Sequence, residues 1–198
     1  MKLTAHRYGK SRVRILKVLR NGPVHTVKEL TAGVLLEGDF ERSFTAADNA
    51  TVVATDTMKN TVHVLAYDHL GLETEPFARR VASHFLDRYP FVSCATVELD
   101  ERVWTRAQID RVGHPHTFTH AEVARPFTRV VASREGVTHE SGVRDITLLK
   151  SAGSGFAGFH RDDLTTLPET GDRILATSMR ASWVWRSEPE RRRGSAAT

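Results

Sequence analysis

Alternation is the first pattern along the chain. In SRVRILKVLR (residues 11–20), Val13, Ile15 and Val18 fall on or near one side, with charges between them. Asn21-Gly22-Pro23 is a turn signal, and Val24 to Leu36 is extended again, so the spacing predicts a long β-hairpin. GDFERSFTAADNA (38–50) is polar and turn-rich and reads as a loop. The period then lengthens. Met58, Val62, Leu65 and Ala66 recur at helical spacing after "VVATDTMKN", with Asp56 or Thr57 expected to cap the first turn. A second helix follows LETEP, with Phe77, Val81, Phe85 and Leu86 on its stripe and Pro90 as its stop. Strands resume in FVSCATVELDERVW (91–104) and HTFTHAEVARPFTRVVASRE (116–135).

The order strand, strand, helix, helix, strand, strand predicts an α+β fold: an antiparallel sheet with two helices on one face. Near Gly142 the pattern starts again. VRDITLLK reads as a strand and ILATSMRASWVWR as its partner, with Trp183 and Trp185 on one face and Val184 on the other. The expected organisation is one complete unit over 1–141, the first hairpin of a second over 142–186, and a disordered tail over 187–198. A two-stranded piece cannot bury its apolar face alone. Either this hairpin joins the first sheet, or something outside the chain covers it.

Composition narrows the class. The 198 residues are 40% hydrophobic and 26% charged, as in ordinary globular proteins. The net charge of +4 suits an anionic ligand. Basic residues are interleaved with acids except at Arg191, Arg192 and Arg193, so a nucleic-acid patch is not expected. One cysteine, Cys94, sits in an apolar strand and reads as a small buried residue. The N-terminal stretch is charged throughout, which argues against a signal peptide or a spanning helix; a cytoplasmic protein without membrane partners is expected.

Several side chains could carry chemistry. Lys10 becomes a base only if its ammonium loses a proton, and is otherwise a solvated surface lysine. Thr55 and Asp56 have a plain reading as helix-terminal residues; a hydroxyl beside a neutral amine is also a proton relay. Phe156 and Phe159 lie in the small-residue loop SAGSGFAGF and are either core plugs or a stacking platform for a flat ligand. Arg173 either pairs with Asp172 or Glu169, or offers a planar fork to a planar anion. His114, His116 and His120 share a parity that could suit a metal, but Pro115 disturbs the strand and no clear further ligand follows.

YGKSRVRILKV, the stretch ending ATDTMKN, HFLDRYP and LLKSAGSGFAGFHRDDLTTLPETGDRILAT together resemble the urate oxidase (uricase) family, over the chain to about Trp185. The resemblance implies tandem tunnelling-fold (T-fold) units and homotetramers with sites at subunit interfaces. It implies oxidation of urate by O2 to 5-hydroxyisourate and hydrogen peroxide in purine degradation, with no metal and no organic cofactor. Residue by residue, Lys10 matches the catalytic lysine, and Thr55 its threonine partner reaching in from a neighbouring subunit. Asp56 matches the aspartate whose backbone N–H contacts the purine, Phe156 the aromatic that stacks on urate, and Arg173 the arginine that grips it in two places. Leu164 stands where the family usually has an aromatic, and Ala152 where it often has a hydroxyl residue.

The family continues for about another hundred residues, on the order of a further domain. That part carries a glutamine on urate and an asparagine and histidine near oxygen. The chain therefore also reads as a shortened uricase, inactive alone or an association partner of longer subunits. A zinc-dependent T-fold pterin enzyme is a further alternative, suggested by the histidine pair.

Overall fold

The computed structural model describes Leu3, residues 5–120 and residues 124–186. The tail expected over 187–198 lies outside the described residues. Two long strands, β1 (Arg7–Leu19) and β2 (Thr26–Gly38), form the predicted hairpin. Three helices follow: α1 (Glu41–Thr45), α2 (Thr55–His69) and α3 (Glu75–Arg88). The remaining strands are β3 (Val92–Arg102), β4 (Thr105–Ile109), β5 (Val112–Thr119), β6 (Arg125–Ser133), β7 (Val137–Lys150) and β8 (Leu175–Trp185). Six of them make one antiparallel sheet in the order β1-β2-β3-β6-β7-β8, while β4 and β5 form a separate two-stranded ribbon.

The core lies between α2, α3 and one face of this sheet. Val13, Ile15, Leu30, Ala32, Val34, Leu36, Ala95, Val97, Leu99, Val130 and Ala132 supply the sheet side. Met58, Val62 and Ala66 come from α2; Phe77, Ala78, Val81, Ala82 and Phe85 come from α3. Both helical stripes are those the sequence period picks out. The expected loop over 38–50 holds the one-turn helix α1, whose preceding residue Phe40 is fully buried against Tyr8 and Phe91. The single strand expected over 116–135 is divided between β5 and β6.

The last hairpin joins the first sheet. β7 extends through the position where the pattern restarts and pairs with β6 on one side and β8 on the other. The restart has a backbone signature. In β1 the pairing runs Lys10 to Val34 and then Val13 to Ala32, leaving one extra residue in β1. In β7 it runs Val143 to Ala181 and then Ile146 to Met179, with the same surplus. Each bulge ends on a residue in the left-handed region, Arg12 (φ 58°) and Asp145 (φ 59°). Each is entered by a glycine with no room for a side chain. A Cβ on Gly9 would lie 1.9 Å from the Val34 carbonyl oxygen, and one on Gly142 would lie 2.3 Å from that of Ala181.

Candidate active site

The β1 bulge and the start of α2 are held together by Tyr8. Its hydroxyl donates to the Val53 carbonyl (3.1 Å) and accepts from the Val53 amide (2.7 Å), pinning the segment that leads into Thr55. At the other end of α2, Lys17 Nζ donates to the carbonyls of Ala66 (2.9 Å) and Tyr67 (2.8 Å), so β1 grips both ends of the helix.

The expected side-chain cap is absent. Ala54 occupies the N-cap and no side chain bonds the first turn. Asp56 instead forms an ion pair with Lys59 (2.5 Å) and accepts from Asn60 Nδ2 (2.9 Å). These contacts, with the Lys59 charge and a smaller contribution from Lys10, hold the Asp56 carboxyl below its ordinary range. Helix propensity and charge spacing explain the change: Asp56, Lys59 and Asn60 sit three and four apart, on one helical face. The backbone N–H groups of the first turn are thereby left without a side-chain acceptor, at the positive end of the helix.

Lys10 stands in the bulge, half-buried, beside a hollow of about 290 Å3. Thr31, Gly33 and Leu35 line that hollow from β2, and Thr96, Glu98 and Asp100 from β3. The hollow opens on the sheet face away from the helices, whereas Lys10, opposite Val34 in the register, belongs to the α2 side, where its charge reaches Asp56. The two acids are engaged from the far side by Arg144, which meets Asp100 at 2.7 Å and Glu98 at 2.5 Å.

Phe156 and Arg173 lie in the connection between β7 and β8. An isolated bridge, Phe156 N–H to the Thr170 carbonyl (2.8 Å) and Thr170 N–H to the Phe156 carbonyl (3.2 Å), folds this segment back on itself. Arg173 is thereby brought under the Phe156 ring, its guanidinium carbon 5.8 Å from the ring centre. Phe159 stacks on Phe156 with centroids 4.7 Å apart and planes 6° from parallel. The two acids that could have paired with Arg173 are turned to other work: Asp172 accepts from the Gly153 amide and Glu169 from the Gly158 amide. Arg173 Nε is buried without a partner. Phe156 remains 45% exposed.

The two groups stand at opposite edges of the sheet. β1 and β8 are its outer strands, roughly 24 Å apart measured along the sheet at the usual strand spacing. Among the described residues no hydrogen bond, ion pair or ring contact joins Lys10, Thr55 or Asp56 to Phe156 or Arg173.

Sequence reasoning passed over Tyr8, Lys59, Asn60 and Arg144. Tyr8 adjoins the quoted YGK stretch, but a hydrogen bond spanning 45 positions leaves no local trace. His116 packs against His25 (4.5 Å) where β5 meets the β1–β2 turn, whereas His120 lies against Trp104, away from the pair. Shared parity does not gather the three, because His120 lies one residue beyond the end of β5. Cys94 is half-buried, with burial pushing its thiol up. Among the described residues no helix is long and apolar enough to cross a membrane.

A family model described as Uricase matches residues 6–131 and 139–197. The uricase of Emericella nidulans is 41% identical over 187 residues, covering 93% of this chain and 62% of that protein. That of Arthrobacter globiformis is 40% identical over 183 residues, covering 91% of this chain and 58% of that protein. The crystal structure of the Arthrobacter globiformis uricase superimposes with a TM-score of 0.84 at 39% identity, over 94% of this chain and 63% of that one. A uricase structure from Bacillus fastidious gives 0.79 at 29% identity, over 90% of this chain and 64% of that one. The chain thus spans about three fifths of the length of such relatives.

Proposed function

Because the chain belongs to the uricase family, we propose that it contributes to oxidising urate with O2 and water to 5-hydroxyisourate and hydrogen peroxide. The observation that carries the reading is the buried, partnerless Nε of Arg173 beside the open ring of Phe156. An unpaired planar fork next to an aromatic platform suits a flat anion held in two ways at once, by stacking and by parallel hydrogen bonds.

The other half of the chemistry belongs to the opposite edge. Urate must lose a proton before two electrons pass to O2, and Lys10 is the acceptor, with Thr55 handing the proton across its hydroxyl. The uncapped first turn of α2 offers the Asp56 amide to a purine oxygen or nitrogen, where the helix dipole favours negative charge. Lys59 and Asn60 keep the Asp56 side chain turned aside, so that the amide rather than the carboxylate meets the anion. The Lys10 charge reaches Asp56 within one chain, so Thr55 partners the Lys10 of its own subunit rather than that of a neighbour, and one active centre takes Lys10 and Thr55 from one subunit and Phe156 and Arg173 from another. A homo-oligomer follows, and in the family's pattern a tetramer. Residues 1–141 then form the first T-fold unit and 142–186 the opening hairpin of the second, with the repeated bulge as support for that division.

The test is turnover. The 198-residue chain, and the same sequence extended to the length of its relatives, are assayed for urate loss, O2 uptake and peroxide release with and without EDTA. Equal consumption of urate and O2, indifferent to EDTA, is expected from the extended form. No urate loss from it, or turnover abolished by EDTA, overturns the proposal.

A further inference from the structure

A groove on the helical side of the molecule is remote from the chemistry above. It has a volume of about 730 Å3 and runs along the solvent side of α3, beside the C-terminal half of α2. Beside the buried stripe of Phe77, Val81 and Phe85, Arg80, His84 and Arg88 repeat every four residues along the flank of α3 and form one line. Arg79 and the α2 residue His69 flank the line, and Asp87 is the only acid among the lining side chains. Leu65 and Pro76 supply an apolar floor at one end.

We propose that this groove binds the phosphate chain of a di- or triphosphate. Three arginines against one aspartate concentrate positive charge in a space of ligand size. Arg80 and Arg88 make no ion pair or side-chain hydrogen bond among the described residues. Some arginines elsewhere are already neutralised: Arg14, Arg42, Arg125 and Arg144 each meet a carboxylate within 2.8 Å. The Arg80 and Arg88 guanidiniums leave the helix about 12 Å apart along its axis, the rise of eight residues. Their long arms can close on a phosphate chain from both ends, with the His84 imidazole between them as a donor. A single phosphate meets only one of the two forks, so affinity depends on chain length.

Calorimetric titration of the 198-residue chain with sodium triphosphate, ATP, AMP and sulfate at low salt tests this. Triphosphate is expected to bind saturably, one per chain, and at least tenfold more tightly than sulfate or AMP. Arg80→Gln combined with Arg88→Gln should weaken it at least tenfold with the circular dichroism unchanged, whereas Arg111→Gln, on the distant β4–β5 turn, should leave it intact. ATP binding more tightly than triphosphate identifies a nucleotide whose base uses the Leu65–Pro76 floor; equal affinity identifies the phosphate chain alone. Absence of saturable triphosphate binding, undiminished binding by the double variant, or sulfate binding as tightly as triphosphate (an adventitious ion only) overturns the proposal.

Discussion

Under the proposed function, holding falls to Arg173 and reacting to Lys10, and their substitution should separate the two. In an active preparation, Arg173→Lys is expected to raise KM for urate about tenfold or more, since an ammonium cannot reproduce a two-pronged contact. Lys10→Met should instead lower kcat at saturating urate by about a hundredfold, the scale of a lost proton acceptor. Steady-state kinetics decide it; a Lys10 change that moves KM alone refutes the catalytic role. Tyr8→Phe tests a residue with no local signature. It strips both partners from the Val53 amide and carbonyl, so a loss of about 1–3 kcal/mol is expected in urea denaturation. Residue type alone left Lys10, Thr55, Asp56, Phe156 and Arg173 with plainer readings beside the chemical ones, and their roles rested on resemblance. The uncapped turn behind Asp56 was hidden, because side chains three and four positions on decide where its carboxylate points.

Elements whose partners lie nearby in sequence were read correctly: β1 with β2, and the buried stripes of α2 and α3. Those decided by distant contacts were not. α1 is fixed by packing around Phe40 against Tyr8 and Phe91, and the β4–β5 ribbon by Arg106, whose guanidinium reaches the carbonyls of His25, His114 and Pro115. Glu29 belongs to this scale, since it ties β2 to Arg14 of β1 and to Trp104 beyond β3. Burial pushes its carboxyl up, but the Arg14 and Trp104 hydrogen bonds and the Arg102 charge outweigh this and hold it below its ordinary range. A depressed carboxyl contributes stability that is present above its unfolded value, near pH 4.5, and is lost as pH falls through the lower folded value. The urea midpoint of Glu29→Gln should therefore lie below that of the parent at pH 7 and converge with it as pH drops below about 4. A gap that persists unchanged at pH 3 rules out this linkage. Gly9→Ala and Gly142→Ala should each cost about 1–3 kcal/mol, because both force a carbonyl aside.

Across the whole molecule, the chain presents two open sheet edges and an apolar surface. Trp183 is 46% exposed and Val184 63%, on opposite faces of β8, with Leu149 67% exposed on β7. Trp185 is better covered and donates to Ser141, itself bonded to Glu75 of α3. Edge strands of this length invite pairing with other chains. Expressed as residues 1–198, the protein should run larger than a monomer in light scattering and show little urate loss. A monodisperse monomer with uricase-level turnover contradicts both the two-chain site and the need for cover.

The matched bulges of β1 and β7 make the sheet periodic, like a lattice with a four-strand unit cell, since β7 repeats β1 after β2, β3 and β6. A strand added beside β8 would take the position that β3 occupies beside β2, and one added beside β1 would take that of β6 beside β7. Each free edge is thus a mould for a strand type the chain already makes. Duplication can lengthen such a wall without new edge chemistry, and curvature alone decides whether it closes into a ring. The two bulges differ in what they present: Val143 stands in β7 where Lys10 stands in β1, so the second bulge offers a branched hydrocarbon in the place of an amine.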